Sequence, residues 1–64
     1  MNGKMTFGEK IKNIRKNKNI TQGELGKRVG KTQQAICKLE RMESQPRYEM
    51  VVKLARALDV SLAE

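Results

Sequence analysis

Apolar residues recur along this chain at intervals of three and four and never alternate, which predicts helices and no strand. Phe7, Ile11 and Ile14 line one face of a first helix running to about Asn17. It opens at Thr6-Phe7-Gly8-Glu9, where Thr and Glu have the spacing of a capping box. A second box, Thr21 to Glu24, opens a second helix whose core residues are Leu25 and Val29. Ile20 and Leu25 have the spacing of a hydrophobic staple, and Gly30 stands where a left-handed residue ends a helix. Gly26 inside so short a helix costs about 1 kcal/mol relative to alanine, so another helix backbone is expected to pass close to it.

Thr32 is the expected cap of a third helix, with Ala35, Ile36 and Leu39 inward and Gln33, Gln34, Cys37, Lys38 and Arg41 outward. A fourth follows from about Tyr48, carried by Val51, Leu54, Ala55 and Leu58 and broken at Asp59-Val60. Ser61-Leu62-Ala63-Glu64 forms a third box and predicts the start of a fifth helix. The expected fold class is therefore all-α. It is a compact bundle of five short helices, with residues 6–64 as one domain after a loose leader at residues 1–5.

Composition narrows this picture. A chain of 64 residues buries only about 60% of the surface its unfolded form exposes, so the core is small. With 38% hydrophobic residues, no tryptophan, one phenylalanine and one tyrosine, the packing falls to aliphatic side chains. The absence of a membrane-length apolar run and of a signal-peptide pattern predicts a soluble, cytoplasmic chain. Cys37 has no partner for an internal disulfide, fits a reducing compartment, and reads as an ordinary helix residue. There is no histidine, no metal-ligand set and no nucleophile beside a base. Neither enzymatic activity nor a metal, cofactor or small-molecule ligand is expected.

Charge changes the picture more. The net charge is +7, and it is uneven. Residues 1–42 carry eleven Lys/Arg against three Glu, or +8, while residues 43–64 carry three against four acids, or −1. One strongly positive surface suits a phosphate backbone or an anionic membrane. The joint between the second and third helices favours DNA. A capped helix ends at Gly30, and a new cap follows at Thr32. So short a turn forces a steep angle, which is the helix-turn-helix arrangement. In that arrangement the second helix enters the major groove with its N-terminal residues against base edges, here Gln33 and Gln34. A glutamine amide offers one donor and one acceptor group, matching N6 and N7 of adenine. Gln22, at the start of the first helix of the pair, is placed for a phosphate. Lys38 and Arg41 continue the outward stripe.

The stretch ITQGELGKRVGKTQQAICKLE resembles the bihelical unit of the lambda-repressor-like (Cro/repressor, XRE-type) DNA-binding domains. TQQAI with a downstream LE is especially similar to lambdoid phage repressors that read DNA with paired glutamines. The resemblance runs from about Thr6 to the last residue. It is carried by IxxIR at Ile11–Arg15, TQxELG at Thr21–Gly26, VGKTQQ at Val29–Gln34 and LARALDVSL at Leu54–Leu62. It implies a five-helix fold and a sequence-specific transcriptional regulator, a repressor that binds a palindromic double-stranded operator as a homodimer. Carried onto these positions, it implies base contacts from Gln33, Gln34 and Lys38, and backbone contacts from Gln22, Lys31, Thr32, Arg41 and Arg47. Arg47 would approach the minor groove. Arg15 and Glu40 match a structural pair that ties the first helix to the third.

One departure from the pattern is Met42, where such domains commonly carry glycine. Either Met42 adopts a left-handed conformation or the helix runs on. A different class of function is a protein-interaction module, an antitoxin or anti-regulator using the face of Val51, Leu54 and Leu58. A basic membrane-surface helix is disfavoured, because the apolar faces are committed to packing.

Overall fold

The computed structural model describes residues 5–42 and 46–61. They hold four helices, α1 (Phe7–Asn17), α2 (Gln22–Val29), α3 (Gln33–Arg41) and α4 (Tyr48–Leu58), with no strand among the described residues. The fifth helix expected from the Ser61 box falls on Leu62, Ala63 and Glu64, which lie outside the described residues, and Ser61 itself is not helical. The loose leader lies outside them too, apart from Met5.

Helix starts follow the threonines. At α1 the box is closed in both directions: Glu9 N donates to Thr6 Oγ1 at 3.1 Å, and Thr6 N donates to Glu9 Oε1 at 3.1 Å. At α2 the second box is only half made. Glu24 N donates to Thr21 Oγ1 at 3.0 Å, but the Glu24 carboxylate turns away to accept from Arg28 Nη2 at 2.9 Å. An i,i+4 cation on the same helix face competes with the backbone N–H and takes the carboxylate. Thr32 caps α3 by accepting from Ala35 N at 3.1 Å.

Helix ends follow a second rule. Asn19, Gly30 and Asp59 all have positive φ, at 58°, 73° and 57°. Each is followed by an N–H that reaches back to the fifth residue before it: Ile20 to Arg15 at 3.0 Å, Lys31 to Gly26 at 2.7 Å, Val60 to Ala55 at 3.0 Å. These are Schellman closures, which satisfy carbonyls the helix leaves unpaired. The exception is α3. Met42 is neither left-handed nor helical; the helix stops at Arg41 and Met42 leaves extended, with φ −74° and ψ 143°. An extended residue escapes the left-handed penalty that a side chain bears, and its N–H still reaches Leu39 O at 3.2 Å.

The core is aliphatic. Ile11, Ile20, Leu25, Val29, Ile36, Leu39, Leu54 and Leu58 form one cluster, with Phe7, Ile14, Met50, Ala57 and Val60 packed around it. Helix α3 packs on α1 and α2, and α4 closes the bundle against the same two. Ala35, expected inward, is exposed. Thr32, Gln33, Gln34 and Ala35 are all exposed and burial begins only at Ile36, so the first turn of α3 meets solvent whatever the helical phase of its residues. The face proposed for a protein-interaction module is not free either, because Val51, Leu54 and Leu58 are 1%, 0% and 1% exposed.

Candidate nucleic-acid interface

Two glycines let α3 approach its neighbours. A Cβ on Gly26 would stand 2.7 Å from Lys31 O and 3.1 Å from Thr32 O, so α2 touches the backbone entering α3. This is the close passage expected at Gly26. A Cβ on Gly8 would stand 2.6 Å from both Leu39 O and Glu40 O, so α1 touches the last turn of α3. Helix α3 is thus seated at both ends by backbone contacts that any larger residue would block.

A buried ion pair adds direction to this seat. Arg15 Nε donates to Glu40 Oε2 at 2.7 Å and Nη2 donates to Oε1 at 3.2 Å, while Nη1 donates to Ile20 O at 2.9 Å. The residues are 8% and 6% exposed. The pair joins α1 to α3 and to the turn before α2. Its net stabilisation against an apolar pair is small, but removing one partner would strand a buried charge.

What α3 leaves outward is polar and positive. Thr32, Gln33, Gln34, Lys38 and Arg41 are exposed, as is Lys31 just before the cap. Glu40 is the one acid in α3, and it is turned inward onto Arg15. The exposed face of the helix therefore carries no negative charge that would repel a phosphate backbone. Arg47, also exposed, precedes α4 and lines a concavity with Lys31, Lys53 and Glu49, which places three cations and one acid beside the α4 N-terminus. Arg47 caps α4 without a side-chain bond.

Three features depart from the sequence reading of this face. Cys37 is half-buried rather than fully outward. Ala35 offers an exposed methyl beside Gln33 and Gln34, a group suited to a thymine methyl. Nothing in the helical period pointed to it, since phase placed it on the core side. Gln22, expected at a phosphate, is half-buried, and its Nε2 donates to Glu40 Oε1 at 3.0 Å. The Gln33 side chain lies against the start of α2, with Oε1 3.8 Å from where a Cβ on Gly23 would stand. The two helix starts therefore meet at one edge of the exposed surface.

Comparison with known proteins agrees with this geometry. The chain is 43% identical over 55 residues to the repressor protein C2 of Salmonella phage P22, covering 86% of this chain and 26% of that protein. It is 34% identical over 56 residues to the uncharacterised HTH-type transcriptional regulator YqaE of Bacillus subtilis (strain 168), covering 88% of this chain and 48% of that one. It thus spans about a quarter and about half of these two relatives. Its fold matches the crystal structure of the P22 c2 repressor in complex with a synthetic operator, with TM-score 0.80 and 40% identity over 91% of this chain and 88% of that one. Residues 11–64 match the helix-turn-helix family, to which this chain, with its α2–Gly30–α3 unit, belongs.

Proposed function

We propose that this chain is the DNA-binding domain of a transcriptional repressor, acting as a homodimer on a palindromic operator. The observation that carries the proposal is the exposed first turn of α3, which presents Gln33 and Gln34 in a helix clear of outward acids. In this reading α3 lies in the major groove, Gln33 and Gln34 pair with adenine edges, and Ala35 meets a thymine methyl. Lys38 reaches a base or a phosphate. Gln22, Lys31, Thr32, Arg41 and Arg47 hold the backbone, with Arg47 nearest the minor groove. The operator-bound P22 c2 repressor supports it through fold and identity together. Residues 6–64 would form the folded domain. A DNA regulator of this kind works in the cytoplasm.

The test is selection of bound sequences from a random duplex pool. A palindrome with half-sites about 34 Å apart is expected, from two recognition helices one DNA turn apart. Gln33→Ala should lose at least about tenfold in discrimination, as for one bidentate base contact, while keeping most of its affinity for unselected DNA. Enrichment of no sequence would overturn the reading. Equal discrimination by parent and Gln33→Ala would remove Gln33 from the base-reading set.

A further inference from the structure

Gln22 and Glu40 lie on different helices, and their hydrogen bond has a chemical consequence. The Glu40 carboxylate is an acceptor with no proton to give, so it takes the NH2 end of the Gln22 amide, at 3.0 Å. The same carboxylate also accepts from Arg15, through Nε at 2.7 Å and Nη2 at 3.2 Å. Arg15 is in turn fixed by Ile20 O at 2.9 Å. A primary amide nitrogen carries two hydrogens. With one committed to Glu40, the amide cannot exchange its nitrogen and oxygen ends, and the second N–H is aimed away from the carboxylate. A phosphate oxygen only accepts, so it needs the nitrogen end.

We infer that Glu40 is a positioning residue for DNA, acting through Gln22. It holds the Gln22 amide with the nitrogen end forward, so that one N–H binds Glu40 while the other donates to a phosphate. Arg15 holds the carboxylate in place through its two hydrogen bonds. The buried pair then does more than brace α1 against α3. It sets the orientation of a phosphate contact at the start of α2 and ties that contact to the helix that reads bases. This inference rests on the proposed DNA-binding reading.

The experiment is a mutant cycle on the duplex enriched from the random pool. Gln22→Ala is expected to weaken binding by about tenfold in the parent, the loss typical of one hydrogen bond to a charged group. In an Arg15→Met/Glu40→Leu background, where an apolar pair replaces the ion pair, the same change is expected to cost less than about twofold, because an unheld amide already contributes little. A pair that only braces the fold would alter the melting temperature and leave the cost of Gln22→Ala the same in both backgrounds, which would overturn the inference. If the double variant does not fold, the intact chain still decides by NMR. One Gln22 Nε2 proton should be shifted downfield in the free chain and stay there on DNA, while the other shifts only when the duplex is added. Both shifting together, or neither, would overturn it. Failure of the parent to enrich any duplex is a distinct result, which removes the DNA-binding reading and this inference with it.

Discussion

At Gly8 there is no room for a methyl group, since a Cβ would stand 2.6 Å from the carbonyl oxygens of Leu39 and Glu40. Both obstacles are backbone, so neither can swing aside. Gly8→Ala should therefore cost about 1–3 kcal/mol, the usual range for overpacking, and lower the melting temperature in calorimetry. Gly23→Ala is the control. Its nearest neighbour, Gln33 Oε1, would be 3.8 Å away, so the helix-propensity gain of up to about 1 kcal/mol should survive. A stable Gly8→Ala protein would show that α1 and α3 can part without loss. The need for glycine was legible at Gly26, where a costly residue sat mid-helix, and hidden at Gly8, which sits inside a capping box where glycine looks ordinary. The Gln22–Glu40 bond was hidden for a related reason. Its partners are separated by 18 positions, and no periodicity links them.

Helix boundaries were read well because their signals are local. Thr6, Thr21 and Thr32 each accept a backbone N–H three residues on, and Gly30 adopts the left-handed conformation its position demanded. The misreadings arise where a second interaction competes. Glu24 leaves its box for Arg28, and Ala35 is exposed because burial along α3 begins only at Ile36, one residue past the position its phase implied. Met42 took an extended exit that neither expected alternative included. The capping rule makes a prediction at this scale. Thr32→Ala should cost about 1 kcal/mol of stability, the usual loss for an N-cap threonine. The same change should weaken specific DNA binding beyond what the global stability loss explains, because it frays the turn that holds Gln33 and Gln34. Amide exchange would report the fraying at Ala35 N, whose bond to Thr32 Oγ1 is 3.1 Å. Unchanged exchange there would show that packing, not the cap, holds the turn.

Over the whole molecule, the +8 of residues 1–42 against the −1 of residues 43–64 is legible in the sequence itself. The fold distributes it further: Lys31, Lys38 and Arg41 lie exposed along and before α3, and Glu40 is withdrawn from the same helix. Affinity should fall steeply with salt as counterions return to the phosphates. Lys38→Ala should reduce the log–log salt slope by about 1 per site if its contact is a phosphate, and leave the slope unchanged while relaxing sequence preference if its contact is a base. A binding titration from low to moderate salt on selected and unselected duplexes separates the two. The same titration on Lys53→Ala would show whether the concavity shared with Lys31 and Arg47 belongs to the DNA footprint.

The seats at Gly8 and Gly26 are built from backbone and from the absence of side chains, and neither involves residues 33, 34, 35 or 38. The pose of α3 is thus independent of the letters it displays. If α3 reads DNA as proposed, a lineage carrying this scaffold can rewrite its target by exchange at those four exposed positions, without reopening the core to selection. Such a chain should accept a transplanted reading surface more readily than a change at either glycine, and divergence of operators could outpace divergence of fold.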